Sequence, residues 1–292
     1  MFLALFKCFM QTQIRLSKVF MPIILLVSIL VGCSSGKDAG IQRIALLAPF
    51  EGRNSEIGYD AYYAVRLAIK EHGNNSIELL AIDDGGSGAS AAERAKALTS
   101  DPLVKMVIAL GNNATQAEAQ QDFGELPVFI VGQWQAKPIG KHIYMLASDQ
   151  LESVFTPFDH IIGVNEAAEI QAPVVGGEIF ALTQFPLLRK NLENVTIASS
   201  ASLPDDDFRQ RYLGSGQYVP EPGLLATLSY DAAAMAMEAM RSNNPNQSIT
   251  DSTYNGLNGR IHFVDGYWAD APIHYYHYDK NGKLTSEDRP VK

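Results

Sequence analysis

The chain has 292 residues, of which 47% are hydrophobic and 19% charged, with a formal net charge of −9. That is enough apolar material to bury a real core in one large or two small domains, and disorder is not the default. An acidic surface is poorly suited to phosphate backbones, which argues against nucleic acid as a partner.

The first 32 residues carry Lys7, Arg15 and Lys18 and no acid, followed by the apolar run Met21 to Val31. A basic flank, an apolar stretch too short to span a bilayer comfortably and a small-residue cut site make a secretory signal. Without it the charge falls to about −12, by subtracting those three cations. The ending Leu30-Val31-Gly32-Cys33 resembles the bacterial lipobox, which implies acylation of Cys33, attachment to a membrane through that lipid, and a tether over residues 33–40. An uncleaved N-terminal anchor is the alternative, and either way the body faces away from the cytoplasm. Cys8 and Cys33 are the two cysteines, so the mature body has no material for a disulfide framework, a Cys metal site or a Cys nucleophile.

From Arg43 on, strand and helix patterns alternate. Ile44 to Phe50 is an almost wholly apolar run, as expected of a strand buried on both faces of a parallel sheet. After a polar loop, Glu51 to Gly58, the residues Ala61, Ala64, Val65, Ala68 and Ile69 form one stripe of a helix over Tyr59 to His72, stopped by Gly73. The unit repeats with strands at Ile77 to Ile82, Lys105 to Leu110 and Pro127 to Val131, and helices at Ser90 to Leu98 and Ala114 to Phe123. Strands spaced by helices need crossovers, which predicts an α/β fold with a doubly wound parallel sheet. Its ligand rim collects residues 50–58, 83–88, 111–113 and 132–135. A fifth apolar run ends at Ser148-Asp149, and Gln150 to Ala172 shows no clear period. Later come a strand at Pro173 to Gly177, a helical stretch near Phe185 to Asn191 and a strand at Asn194 to Ala198. A long helix over Leu224 to Met240 has Leu225, Leu228, Ala232, Met235, Ala236 and Ala239 on one face. Two strand-like runs, Arg260 to Val264 and Pro272 to Tyr278, precede a turn at Asp279 to Lys283.

The run IALLAPFEGRNSEIGYDAYYAVRLAIKE resembles the opening of type I periplasmic solute-binding proteins, the leucine/isoleucine/valine-binding group. IELLAIDDG, VKMVIALGNNATQ and LPVFIVGQWQ continue the resemblance, and VVGGE, SYDAAAMAMEAM and GLNGRIHFVDG match later landmarks in order. The resemblance implies two doubly wound lobes joined by three crossings, a solute in the cleft between them, hinged closure and a partnership with an ABC-type permease. Lobe 1 is expected over residues 41–148, completed by about 205–256, and lobe 2 over 149–204, completed by about 257–290. The segment Gln150 to Ala172 is too short for the strand–helix units the family places there, so the second lobe is expected to be reduced.

For the site, the resemblance places Glu178 where the family has its ammonium-binding carboxylate; a solvated loop acid is the plainer account. Asn112, Asn113 and Thr115 open the expected third helix, whose N–H groups favour an anion, although Asn112 or Asn113 also reads as an N-cap. Gly132 and Trp134 fall where the family has a small residue and a hydroxyl beside the ligand. Trp134 narrows the cleft, stacks on a flat solute or fills the space of the reduced lobe. Ile57, at the end of the first loop, completes the expected ligand contacts. The Asp205-Asp206-Asp207 run reads as a helix cap, and the G-x-G-x-x-A at Gly86 to Ala91 lacks the ribose-binding acid of a dinucleotide site. His72, His142, His160, His262, His274 and His277 are scattered, with no metal spacing.

These residues imply no cofactor, no metal and no catalytic apparatus. Two functions remain. One is an extracytoplasmic solute-binding lipoprotein for an amino acid or similar polar solute. The other is an envelope adaptor or regulatory lipoprotein that uses a degenerate binding fold to dock a partner protein. The reduced lobe and Ser34, which in a Gram-negative cell permits sorting to the outer membrane, speak for the second.

Overall fold

In the computed structural model, which describes residues 40–155, 168–169 and 172–286, the apolar runs of the first half become neighbouring strands of one sheet. The leader, Cys33 and the tether before Gly40 lie outside the described residues, as does most of the segment 150–172.

Strands β1 (Gln42–Ala48), β2 (Ile77–Asp83), β3 (Val104–Ala109), β4 (Val128–Val131) and β5 (Ile143–Leu146) are parallel, in the order β5-β4-β3-β1-β2. The chain leaves β1 toward β2 and then returns to the other side, so the order reverses at β1, where the carboxyl ends of β1 and β3 part to leave a crevice. The middle strands are buried, as Ile44 to Ala48 and Val128 to Val131 show, whereas β2 is an edge strand and half exposed.

Helix Ser55–His72 packs on β1 and β2 and along helix Leu224–Ala239. Ala61, Ala64 and Ala68 are buried in the first helix, and the second is itself rich in alanine, so small side chains favour a close approach. Sequence periodicity gave that second helix one buried face; every residue in it except Glu238 is buried, because it is enclosed on all sides. Asp60 fixes its start. This buried carboxylate accepts from the N–H groups of Gly223 (2.9 Å) and Ala226 (3.0 Å), capping a helix far away in the chain.

Burial pushes the Asp60 pKa up to about 7, against the pull of those two hydrogen bonds. A carboxyl whose folded pKa lies above its unfolded one holds its proton longer in the folded state. Its contribution is therefore full below about pH 4 and is lost as the pH rises toward 7. Urea titrations of the wild type and Asp60→Asn should show a stability gap that changes between pH 4 and 7, on the order of a few kcal/mol, and is level above pH 8. A gap independent of pH would show that Asp60 is ionised throughout.

Two expectations need correcting. The helix expected over Ala114 to Phe123 is two pieces, Asn112–Thr115 and Ala117–Asp122, because Gln116 is extended (ψ 162°) and interrupts the hydrogen-bond ladder. The hairpin β10 (Phe263–Val264) and β11 (Tyr267–Trp268), assigned by sequence to the second lobe, joins the first sheet through Tyr267 beside Met145. The first lobe thus runs on to Trp268. Ahead of it, β8 (Tyr254–Gly256) and β9 (Gly259–Ile261) form a separate ribbon.

The second sheet has the order β13-β12-β7-β6, with β6 (Val174–Gly176) parallel to β7 (Val195–Ser199), and β12 (His274–Tyr278) and β13 (Leu284–Ser286) added antiparallel. Four strands against seven make this the reduced lobe among the described residues. Phe180, Phe185 and Tyr278 stack in its core, with centroids 5.0 and 6.2 Å apart. The β12–β13 turn is closed by Asp279, which accepts from the N–H groups of Asn281 and Lys283.

The chain crosses between sheets three times: after β5 at residues 147–150, after β7 at 200–204, and after β11 at 269–273. The first two crossings are joined, the Ser148 N–H donating to Ser200 Oγ (2.9 Å). Asn258 Oδ1 accepts from Ser202 N–H (2.7 Å) and the Thr227 hydroxyl, and Asp231 holds Asn258 in turn through its N–H and its side-chain amide.

Candidate functional site

The rim of the first sheet is organised by two acids. Asp83 accepts from the N–H groups of Phe50, Glu51 and Gly85, and Asp84 from Gly86 N–H and the Asn113 amide. They draw the loops after β1, β2 and β3 together, and burial lifts Asp84 above the usual carboxylate range. Gly111 has φ 85° and presses on Pro49; a Cβ there would meet the Pro49 ring at 2.9 Å, so a side chain at this corner is excluded twice over.

Asn112, Gln133, Trp134 and Gln135 from this rim face Phe155, Gly177, Ile179 and Phe180 of the second lobe across a cleft of about 60 Å³, room for a few waters. A solute the size of an amino acid enters only when the lobes part. The Trp134 indole is buried, its N–H spent on Val131 O (2.6 Å), so it presents an apolar wall.

Glu178 opens the short 3-10 helix Glu178–Ala181 after β6 and is 1% exposed, which a solvated loop acid is not. Its Oε1 accepts from the Ser199 hydroxyl (2.6 Å) at the end of β7, and its Oε2 from Gln133 N–H (3.1 Å) in the other lobe. Burial raises its pKa, and these two hydrogen bonds hold it back. Gly132, at φ 82°, allows the approach, since a Cβ there would lie 3.4 Å from the Glu178 carboxyl and 3.1 Å from Leu225. A second clasp joins the lobes nearby, where Thr183 N–H donates to Glu56 Oε1 and the Gln184 amide to Arg53 O (2.9 Å).

The remaining expected contacts are placed differently. The Thr115 hydroxyl is buried and donates to Gly111 O (2.8 Å), closing its own turn. Ile57 belongs to the first turn of helix Ser55–His72, not to a loop, and is buried in the core. Asn113 turns to Asp84 rather than to the cleft. With four residues, helix Asn112–Thr115 has too few aligned peptide groups for the anion site expected of a long helix.

Gln133 was not singled out by sequence. It is 9% exposed, lines the cleft, and its Oε1 has no hydrogen-bond partner. The available signal was its place between Gly132 and Trp134, at the carboxyl end of a buried strand. Elsewhere Asp205 caps helix Asp206–Leu213 by accepting from Phe208 N–H (2.7 Å). No group of three metal-ligating side chains occurs among the described residues, and none of their helices is long and apolar enough to cross a membrane.

No family model matches the sequence, and no curated protein matches it either. Solved structures do match its fold. The branched-chain amino acid transporter substrate-binding protein LivJ from Streptococcus pneumoniae, in complex with isoleucine, is 17% identical with a TM-score of 0.62 over 85% of this chain and 99% of that one. The leucine-binding protein LivK from Thermotoga maritima is 14% identical, TM-score 0.64, over 85% and 98%. An ABC transporter solute-binding protein from R. palustris, in complex with 4-hydroxybenzoate, is 10% identical, TM-score 0.64, over 85% and 95%. The chain therefore has the two-lobed fold of type I periplasmic solute-binding proteins, with the second lobe reduced.

Proposed function

We propose that this protein is an extracytoplasmic solute-binding lipoprotein that captures a small polar solute, of about the size of an amino acid, for an ABC-type importer. The observation that carries it is the cleft itself. It lies at the carboxyl ends of a parallel sheet beside the reversal of strand order, between lobes joined by three crossings, and holds a buried polar side chain, Gln133, with an unmet acceptor. Proteins of similar fold solved in complex with isoleucine and with 4-hydroxybenzoate support a small-molecule solute. The lipid on Cys33 holds the protein to its membrane, a reading that rests on the leader sequence. Palmitate labelling lost in Cys33→Ala checks this part.

Titration calorimetry against amino acids, carboxamides and aromatic acids tests the main reading. At least one compound is expected to bind, and small-angle scattering should change as it does. If none binds, the reading is wrong.

The adaptor reading is favoured by a different observation. Glu178 closes the lobes on each other using groups of the protein alone, as expected of a binding fold kept for its outer surface. It takes precedence if the solute panel is silent.

A further inference from the structure

Glu178 stands where a solute ammonium would be expected to bind, yet both its oxygens are engaged by the protein, one by Ser199 and one by Gln133 N–H, and it is 1% exposed. An ammonium set against Glu178 would compete with the Ser199 hydroxyl and the Gln133 N–H for a carboxylate that the protein already satisfies. A carboxylate fares no better, because the helix that begins at Asn112 ends at Thr115. Among the described residues lining the cleft there is no Asp, Glu, Lys, Arg or His. Burying either charge of a zwitterion there without a counter-charge is costly.

What the cleft does offer is a different chemistry. The Gln133 amide oxygen is buried and unpartnered. A primary amide carries N–H donors next to that acceptor in one plane, so its natural complement is another group of the same kind. The walls beside it are flat and apolar: Trp134, whose indole N–H is already bonded, and the rings of Phe155 and Phe180.

We infer that the cleft selects an uncharged, planar solute bearing a carboxamide or lactam edge, read by the Gln133 side chain and flanked by aromatic rings, in preference to a zwitterionic amino acid. This rests on the solute-binding reading above and narrows its substrate class. Gln133 thereby has two roles. Its backbone N–H closes the lobes on Glu178, and its side chain reads the solute.

The test is calorimetry on the intact mature protein with matched pairs: benzamide and nicotinamide against benzoate and phenylalanine, and N-acetyl-leucinamide against leucine. The neutral amides are expected to bind at least about tenfold more tightly than their charged partners. Gln133→Met keeps the backbone N–H and the length of the side chain, and should weaken amide binding by about tenfold or more while the unfolding midpoint holds. Equal or tighter binding of leucine, phenylalanine or benzoate overturns the inference and leaves the solute-binding reading standing. Amide binding unchanged in Gln133→Met overturns it as well. If no member of any pair binds, the solute-binding reading falls and takes this inference with it.

Discussion

Asp231→Ala should destabilise the protein by about 3–5 kcal/mol in urea unfolding, a large part of the stability of a typical domain. Asp231 is fully buried on helix Leu224–Ala239 and accepts from the N–H groups of Leu257 (2.9 Å) and Asn258 (3.0 Å) and from the Asn258 side-chain amide (2.7 Å). Truncation leaves three donors without an acceptor in a space too tight for rearrangement. A Cβ on Gly256 would already lie 2.3 Å from an Asp231 oxygen. Because Asn258 also accepts from Ser202 in the second crossing, the loss should spread to the connection between the lobes. Burial raises Asp231 to about 6, so Asp231→Asn, which keeps one acceptor and carries no charge, should cost less than half as much. Equal losses in the two variants would show that charge, not hydrogen-bond geometry, fixes the turn.

Glu178→Ala is expected to cost about 2–4 kcal/mol and to open the lobes, because it removes both the acceptor of Gln133 N–H and the partner of the Ser199 hydroxyl. The two effects separate experimentally. Urea unfolding reads the first, and an increased radius of gyration in small-angle scattering reads the second. An unchanged radius would mean that the clasp of Glu56 and Arg53 with Thr183 and Gln184 holds the lobes together without Glu178.

The parts of the fold that were legible in the sequence are those where burial is local and periodic. Ile44 to Ala48 of β1, Met106 to Ala109 of β3 and Val128 to Val131 of β4 are buried and read as apolar runs, and the alanine stripe of helix Ser55–His72 shows its 3.6-residue period. Tertiary context decided the rest. Nothing in the run at residues 114–123 marks Gln116 as the break, because it carries no Gly or Pro. Phe263 to Trp268 looks like any short hairpin, and which sheet it extends is settled by a single pairing with Met145. Within the site, the resemblance to the solute-binding family, rather than spacing, pointed to Gly132, Trp134 and Glu178. The partners of Glu178 come from residues 133 and 199, a pairing no spacing encodes. Asp60 is the same case in the core: its role is to cap a helix that begins at Leu224.

The enclosed helix Leu224–Ala239 also has a bearing on biogenesis. It packs on β3, β4 and helix Ser55–His72, yet is translated only after the first half of the other lobe. Until then the nascent first lobe keeps one greasy side bare and cannot complete its fold. Such long-range closure slows folding, so the first lobe is completed only when the chain has nearly reached its end.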